Sequence, residues 1–249
     1  MHSLVPGPAA DDRALEELYA YPPELTSPYV QVNFVASADG AATVSGRSRG
    51  LSSPADKKVF ALGRDLADVV LVGAGTAIAE EYRGVKRTEL RAERRARLGL
   101  SEIPPVAVVT GRGSVPPSSP LITDVVVPTI VITSEVSPLT WRKEVAEAGA
   151  DVIVAGEDRV DVALALSELG DRGLLRVNCE GGPTLFGDLV AAGTVDQLCL
   201  TVAPKLAGAG AVRIAAGRPS AEPLDLVLES ALSDEGFLML RYRRAGASE

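Results

Sequence analysis

The sequence predicts an α/β protein of three layers, αβα, around a mixed and mostly parallel sheet that ends in an antiparallel hairpin. Three observations carry this. Short apolar runs recur at DVVLVG (68–73), VAVVT (106–110), TIVIT (129–133), DVIVA (151–155), LLRVNC (174–179) and VDQLCLTVAP (195–204), and such runs belong to strands covered on both faces. Segments of helical character separate them, at 88–98, 138–148, 161–169 and 183–192, and strands alternating with helices imply parallel pairing. The last two strands, about 225–232 and 237–243, are joined only by Ser233-Asp234-Glu235-Gly236. That link is too short for a crossover, so they pair as a hairpin.

The elements follow in order. Leu15 and Leu18 stand at helical spacing in 11–20, before Pro22 and Pro23 stop the helix. Residues 1–27 therefore read as an N-terminal extension with a short helix, led by a mobile tail, Met1–Ala10. Residues 28–249 read as a single domain, with no repeat, low-complexity block or linker between 29 and 243. YVQVNFVA (29–36) alternates like a strand, and SADG then turns the chain. Ser53, Pro54 and Asp56 open a helix as cap, first-turn proline and dipole-matched carboxylate, with Val59, Leu62 and Leu66 on its inner face. In 183–192 the inner face is Leu185, Leu189 and Val190.

Composition narrows the function. The net charge of −8 argues against nucleic acid as a partner, and 46% apolar residues with 4% aromatic ones supply a core of Val, Leu, Ala and Ile. Cys179 and Cys199 form no CxxC pair, which fits a reducing compartment. The longest apolar stretch, 69–79, contains two glycines and falls short of the roughly 20 residues a membrane span needs. Met1–Ala10 has neither a basic nor an apolar leader segment, so a cytoplasmic protein is expected. The only histidine is His2. Ser-His-Asp catalysis, Cys-His catalysis and a His-ligated metal are thereby removed, and no metal site is expected. Gly46-Arg47-Ser48-Arg49-Gly50 spells the GxSxG elbow of serine hydrolases but has no histidine to serve it. Ser48 is left as a binding hydroxyl.

Four constellations remain. Asn178-Cys179-Glu180-Gly181-Gly182-Pro183-Thr184-Leu185 leaves a strand and opens a helix. Its glycines admit a close backbone approach and the free amides after Pro183 suit a diphosphate, although a tight strand-to-helix turn reads the same way. Glu180 stands at the carboxyl edge of the sheet, where open α/β sheets bind ligands. A second Gly-rich loop, Val72-Gly73-Ala74-Gly75-Thr76, lacks the third glycine of the dinucleotide fingerprint. Seven basic residues fall between Arg83 and Arg97 against Glu89 and Glu93 alone. Most read as a solvated helix face, with Arg83 and Arg87 set apart for a phosphorylated ligand. Asp39-Gly40 is either a turn or a carboxylate that meets Glu180 over one site.

NFVASADG (33–40), SGRSRGLSSP (45–54), ADVVLVGAGTAIAEEYRGV (67–85), NCEGGPTLFGDLV (178–190) and DQLCLTVAPKLAGAG (196–210) together resemble, in order, the C-terminal reductase domain of the riboflavin-biosynthesis deaminase/reductase RibD. The resemblance spans about 28–243 and implies a dihydrofolate-reductase-like fold and a homodimer. It implies NADPH-dependent reduction of a ribosylaminopyrimidine 5′-phosphate to the ribitylamino form. The implied cofactor contacts are Val35, Thr76 and Glu80, then Gly181, Gly182, Pro183, Thr184 and Leu185, with Thr110, Gly111 and Arg112 at the 2′-phosphate end. Asn33, Ser48, Arg64, Arg83, Arg87 and Glu180 would face substrate, and Glu180 and Asp39 are the catalytic candidates. The zinc deaminase motifs H-x-E and PCxxC are absent, Glu80-Glu81 replace paired aspartates, and Asn33 stands where bifunctional bacterial members carry lysine. Members with asparagine there act before deamination. A pterin or dihydrofolate reductase on the same fold, and a cofactor-binding protein without turnover, are the alternatives.

Overall fold

The apolar runs become strands and the segments between them become helices. In the computed structural model the chain is described over residues 10–219 and 222–246, so the expectation of a mobile tail with His2 falls almost wholly outside the described residues. The first half runs α1 (Asp12–Tyr19), β1 (Tyr29–Ser37), α2 (Pro54–Leu66), β2 (Val69–Gly73), α3 (Ala74–Ala79), α4 (Ala92–Arg97) and β3 (Val106–Val109). It continues with α5 (Pro120–Thr123), β4 (Ile130–Thr133), α6 (Leu139–Glu147), β5 (Asp151–Val154), α7 (Val162–Asp171), β6 (Arg176–Cys179), α8 (Pro183–Ala191), β7 (Gln197–Ala203), β8 (Leu226–Asp234) and β9 (Phe237–Arg244). No helix among the described residues is long and apolar enough to cross a membrane.

The strands form one nine-stranded sheet in the order β5-β4-β3-β2-β6-β1-β7-β9-β8. Strands β1 to β7 are parallel, and β9 runs antiparallel between β7 and β8. The expected hairpin thus caps one edge of a parallel sheet. Alternation along β1 sorts its side chains to two faces. Val30, Val32 and Phe34 join Leu166 and Leu169 of α7 and Leu185, Phe186 and Leu189 of α8 in one core. On the opposite face α6 sets Trp141 and Val145 against Val70, Val72 and Val108. Further along that face α1 and α2 set Leu15, Tyr19, Val59, Leu62 and Leu66 against Cys199, Ala203 and Met239. Helix, sheet and helix therefore stack as three layers, and both free cysteines are buried.

One expectation changes and another is refined. The helix expected over 88–98 divides into a 3-10 turn at Arg87–Glu89 and the six-residue α4. Between them Leu90 is extended, and the Arg91 amide donates to Asp65 Oδ1 at 2.9 Å instead of to the preceding turn. Most of the basic stretch is exposed as expected, Arg83, Arg87, Arg91 and Arg97 by more than half, but Arg94 and Arg95 are enclosed. Arg95 is wholly buried, and its Nη1 donates to the carbonyls of Arg64, Asp65 and Ala67 at 2.9, 3.2 and 2.8 Å. It thereby satisfies the carbonyls that the end of α2 leaves open.

The neighbouring cations grip α1. Arg94 bridges Glu16 at 2.8 Å and Asp65 at 2.5 Å, Arg97 reaches Glu16 at 2.6 Å, and Asp12 meets Lys58 and Arg91 at 2.6 Å. The leading helix is thus clamped to α2 and α4 by charge as well as by Leu15 and Tyr19. Partial burial of Glu16 opposes its ionisation, but hydrogen bonds from Arg97 and Arg94 outweigh it and hold the carboxyl below its ordinary value. A carboxyl lowered in the folded state contributes stability above its unfolded value and loses it as pH falls through the folded one. Glu16→Gln should therefore lower the thermal midpoint by roughly 3–6 °C at pH 7, and the difference from the parent should shrink below about pH 4. Thermal melts of both proteins across pH check this; a gap that does not change with pH would remove the charge from the account.

Candidate active site

A cavity of about 760 Å³ opens at the carboxyl ends of β1, β2 and β6, within the size range of small-molecule sites. Its floor is set by the turn after β6. Gly181 and Gly182 have φ of 99° and 92°, a region open to glycine and strained for other residues. Space is tight there too: a Cβ on Gly181 would stand 3.0 Å from Phe34 Cζ, and one on Gly182 3.2 Å from Gly73 Cα. The two Gly-rich loops therefore pack backbone to backbone, with Gly73 N–H donating to Gly181 O at 2.9 Å. Pro183 opens α8 at the cavity wall, so the first-turn amides beyond it have no helical acceptor.

Glu180 stands on this floor with no exposed side-chain surface. Arg64 grips it with both arms, Nε to Oε1 at 2.6 Å and Nη2 to Oε2 at 2.7 Å. The Tyr82 hydroxyl donates to Oε2 at 2.8 Å and Asn178 Nδ2 to Oε1 at 3.1 Å. Arg64 also donates to Glu89 at 3.2 Å, and its guanidinium lies over the rings of Phe60 and Tyr82 at 4.9 and 5.6 Å. Burial opposes the charge on Arg64, but the Glu180 carboxylate prevails and holds its pKa above the ordinary value. Burial first, and the same carboxylate second, push the Tyr82 phenol well above its usual range. Both groups keep their protons at any working pH. Asn33 Nδ2, on the β1 side of the cavity, is buried without a partner.

The structure brings most of the expected residues to this cavity. Asn33, Val35, Thr76, Gly182, Pro183 and Thr184 line it, as do Ser48, Arg64, Glu80, Arg83 and Glu180. Two pairs are spent on each other. Ser48, through its amide and hydroxyl, donates to Glu80 Oε1 at 2.8 and 2.9 Å, and Arg64 is consumed by Glu180 and Glu89. Glu180, expected to carry a proton, has its two oxygens occupied by four donors.

Other expected residues lie elsewhere. Arg87 is exposed outside the lining and pairs with Glu102 at 2.8 Å. Asp39 also lies outside the lining, its carboxylate held by the backbone of another loop, so it does not meet Glu180 over one site. Thr110, Gly111 and Arg112 form a turn beyond the cavity, where the Thr110 hydroxyl is engaged by Ser114 at 3.0 Å and the Gly111 carbonyl by Ser134 at 2.8 Å. Leu185 is part of the core, and Gly181 acts through its carbonyl.

Lys57, Phe60 and Tyr82 of the lining were not foreseen, nor was Asn178, which reaches Glu180 from outside the lining. Lys57, Phe60 and Arg64 recur three and four residues apart, so they share one face of α2. Asn178 lies two residues before Glu180 and so on the same side of the strand. Those spacings were available in the sequence. Tyr82 had no such mark, because it reaches Glu180 from an irregular segment after α3.

The sequence model of the RibD C-terminal domain family matches residues 28–235. The chain belongs to that family. It is 34% identical over 183 residues to a protein of Archaeoglobus fulgidus named 2,5-diamino-6-ribosylamino-4(3H)-pyrimidinone 5′-phosphate reductase, covering 73% of this chain and 82% of that one. It is 28% identical to the riboflavin biosynthesis protein RibD of Escherichia coli, covering 74% of this chain and half of that longer protein. Among solved structures, a pyrimidine reductase-like protein of Corynebacterium diphtheriae superposes with a TM-score of 0.80 at 27% identity, over 92% of this chain and 98% of that one. The mixed sheet with its C-terminal hairpin is thus the fold of this family's reductases.

The buried pair at the floor gives a direct test. Arg64→Ala leaves the Glu180 carboxylate buried without its counter-charge and should cost about 3 kcal/mol of stability. Adding Glu180→Gln should then cost less than it does alone, with a coupling of about 1–3 kcal/mol across the double-mutant cycle. Urea unfolding of the two single variants and the double variant measures it; additive losses would mean that the pair does not act as a unit.

Proposed function

We propose that this chain is the reductase of riboflavin biosynthesis that reduces the 2,5-diamino ribosylaminopyrimidine 5′-phosphate to its ribitylamino form, before deamination, with NADPH. The unit that does so is the single domain 28–249, with α1 as its docked extension. The observation that carries the reading is the pairing of an unpartnered buried amide, Asn33 Nδ2, with a charged floor, Arg64–Glu180, in one cavity at the carboxyl edge of the sheet. The 34% identical relative named for this pyrimidine supports the substrate.

Reductases of this family draw on a nicotinamide cofactor, and the residues present fit one. Gly182 leaves the α8 amide turn open where any Cβ would meet Gly73. Thr76 lines the cavity beside it. Pro183, Thr184 and Thr76 would hold the cofactor's diphosphate, and Val35 would lie toward its nicotinamide. When bound, NADPH supplies the hydride that C1 of the ring-opened sugar receives.

The chain's own residues do the rest. Asn33 donates a hydrogen bond to the pyrimidine, which satisfies an amide otherwise left without a partner. Arg64, Tyr82 and Asn178 fix Glu180 as an acceptor, so the balancing proton comes from solvent and Glu180 acts by holding Arg64 and Tyr82 in place at the cavity floor. The phosphate falls to Arg49 and Lys57, which line the cavity and make no ion pair among the described residues, with Arg83 beside them. Arg49 and Lys57 are thus the cations still free to meet an anion.

The same reading gives a homodimer. On one face of the hairpin edge Leu226, Leu228 and Leu238 remain 40–43% exposed, and a second copy of that face would cover them.

NADPH oxidation by the purified chain tests the reading, with the 2,5-diamino phosphate, its deaminated counterpart and dihydrofolate offered in parallel. The diamino phosphate is the expected substrate; turnover of dihydrofolate alone would transfer the site to a pterin. Replacing Arg49 and Lys57 together by alanine should raise KM for the phosphorylated pyrimidine by about tenfold or more and leave KM for its dephosphorylated form unchanged. Equal effects on the two forms would place the phosphate elsewhere.

A further inference from the structure

The outer wall of the cavity consists of two loops, 38–50 and 204–216, that run against each other. Ala38 N–H donates to Lys205 O at 2.9 Å and Ala42 N–H to Val212 O at 2.8 Å, with an antiparallel bridge between Ala41 and Arg213. Asp39 sits between these contacts. Its Oδ2 accepts from Gly208 N–H at 2.8 Å, and its two oxygens share Ala207 N–H at 3.0 and 3.1 Å. The Ser37 hydroxyl donates to the same carboxylate from the end of β1.

The far end of the second loop is pinned to α8. Ala216 N–H donates to Pro183 O at 2.9 Å. Ala216 O lies 1.9 Å from where a Cβ on residue 187 would stand, so only glycine at 187 admits it. Val212 and Ala216 both line the cavity between these pins.

Little besides hydrogen bonds orders the stretch in between. Leu206-Ala207-Gly208-Ala209-Gly210-Ala211 has one large side chain, Leu206, which is 82% exposed. Gly208 and Gly210 both take positive φ, 81° and 89°. A segment with so little buried apolar surface draws its order from its fastenings, and a carboxylate on backbone amides is the strongest of those present. The Ala207 amide above all, then Ser37 and the Gly208 amide, holds the Asp39 carboxyl down to about 2.

We propose that Asp39 is a positioning residue that fastens the 204–212 loop onto the 38–50 loop as a lid, and so sets how tightly the cavity retains substrate without touching it. The kinetic half of this inference rests on the reductase reading, whereas the fastening itself does not. A role as catalytic acid is at odds with its place, because its oxygens are committed to Ser37, Ala207 and Gly208 and it stands outside the lining.

The test uses the full chain with Asp39→Ala, Asp39→Asn and Ser37→Ala. Two quantities are read: KM and kcat for the 2,5-diamino phosphate, and the rate of trypsin cleavage after Lys205 and Arg213. Asp39→Ala should raise KM about tenfold with kcat within about threefold, and cleavage should accelerate by a similar factor. Asp39→Asn, which keeps one amide acceptor, and Ser37→Ala, which removes one donor, should fall between parent and Asp39→Ala on both readouts. Should Asp39→Ala not fold, these two milder variants decide the matter. Unchanged KM and cleavage in a folded variant overturn the proposal. A fall in kcat at constant KM overturns it as well, because Asp39 then acts in the chemistry. If the parent turns over no pyrimidine, the reductase reading has failed, and cleavage alone judges the lid: equal rates for parent and variants dismiss it.

Discussion

The two-armed contact between Arg64 and Glu180 is the constraint on which the cavity depends. It joins residues 116 positions apart in sequence, the end of α2 and the carboxyl edge of β6, with the Glu180 side chain fully buried and that of Arg64 largely so. Burying two charges costs several kcal/mol unless their remaining hydrogen-bonding capacity is used. Here it is used. Tyr82 and Asn178 complete the carboxylate, while Glu89 and two aromatic faces complete the guanidinium. Each partner is placed by something else in the fold: Arg95 gathers the last carbonyls of α2, and the Glu180 amide is tied to Leu71 O at 2.9 Å beside β2. The site is therefore an outcome of sheet order, since β6 must lie between β2 and β1 for its terminal glutamate to meet α2.

Charge is spent mainly on assembly. In the run of cations from Arg91 to Arg97, the members hold Asp12, Glu16 and Asp65 or cap α2. An acidic leading helix and a basic fourth helix thus act as one fastening on either side of α2. Among the described residues that leaves Arg49 and Lys57 as the cavity's unpaired cations, and it explains why counting basic residues misdirects the search for a phosphate. A cation next to its own carboxylate is not free to serve a ligand, and pairing is invisible in a sequence.

The architecture was legible because it rests on local signals. Unbroken Val/Ile/Leu runs gave strands such as Val69–Gly73, Ser53 and Pro54 gave the start of α2, and the four-residue link gave the hairpin. Much of the cavity was legible too, since Glu180 and Gly182 lie in the turn after β6, Thr76 in the helix that directly follows β2, and Asn33 within β1. What stayed hidden depends on long-range contact. Arg87 and Arg83 look alike in sequence, but Arg87 pairs with Glu102 and Arg83 reaches the cavity. Asp39 and Glu180 both end strands, but Asp39 meets the amides of a loop 168 residues away while Glu180 is enclosed by side chains. Thr110 ends a strand as well, and its turn closes on Ser114 and Ser134. Strand ends nominate candidates; the partner across the sheet decides among them.

With no histidine at the site, the Arg64–Glu180–Tyr82 floor works by holding charge. Arg64 and Tyr82 are both driven away from titration, one by its carboxylate partner and the other by burial. Such a floor presents a fixed electrostatic pattern, which needs no reorganisation when a reaction begins. That suits a transfer in which a bound cofactor brings the hydride and solvent can bring the proton. It suits poorly any hydrolysis or acyl transfer, which would ask a side chain here to gain and lose a proton in turn. The absence of a second histidine from the chain and the saturation of Glu180 thus point the same way, one from composition and the other from geometry.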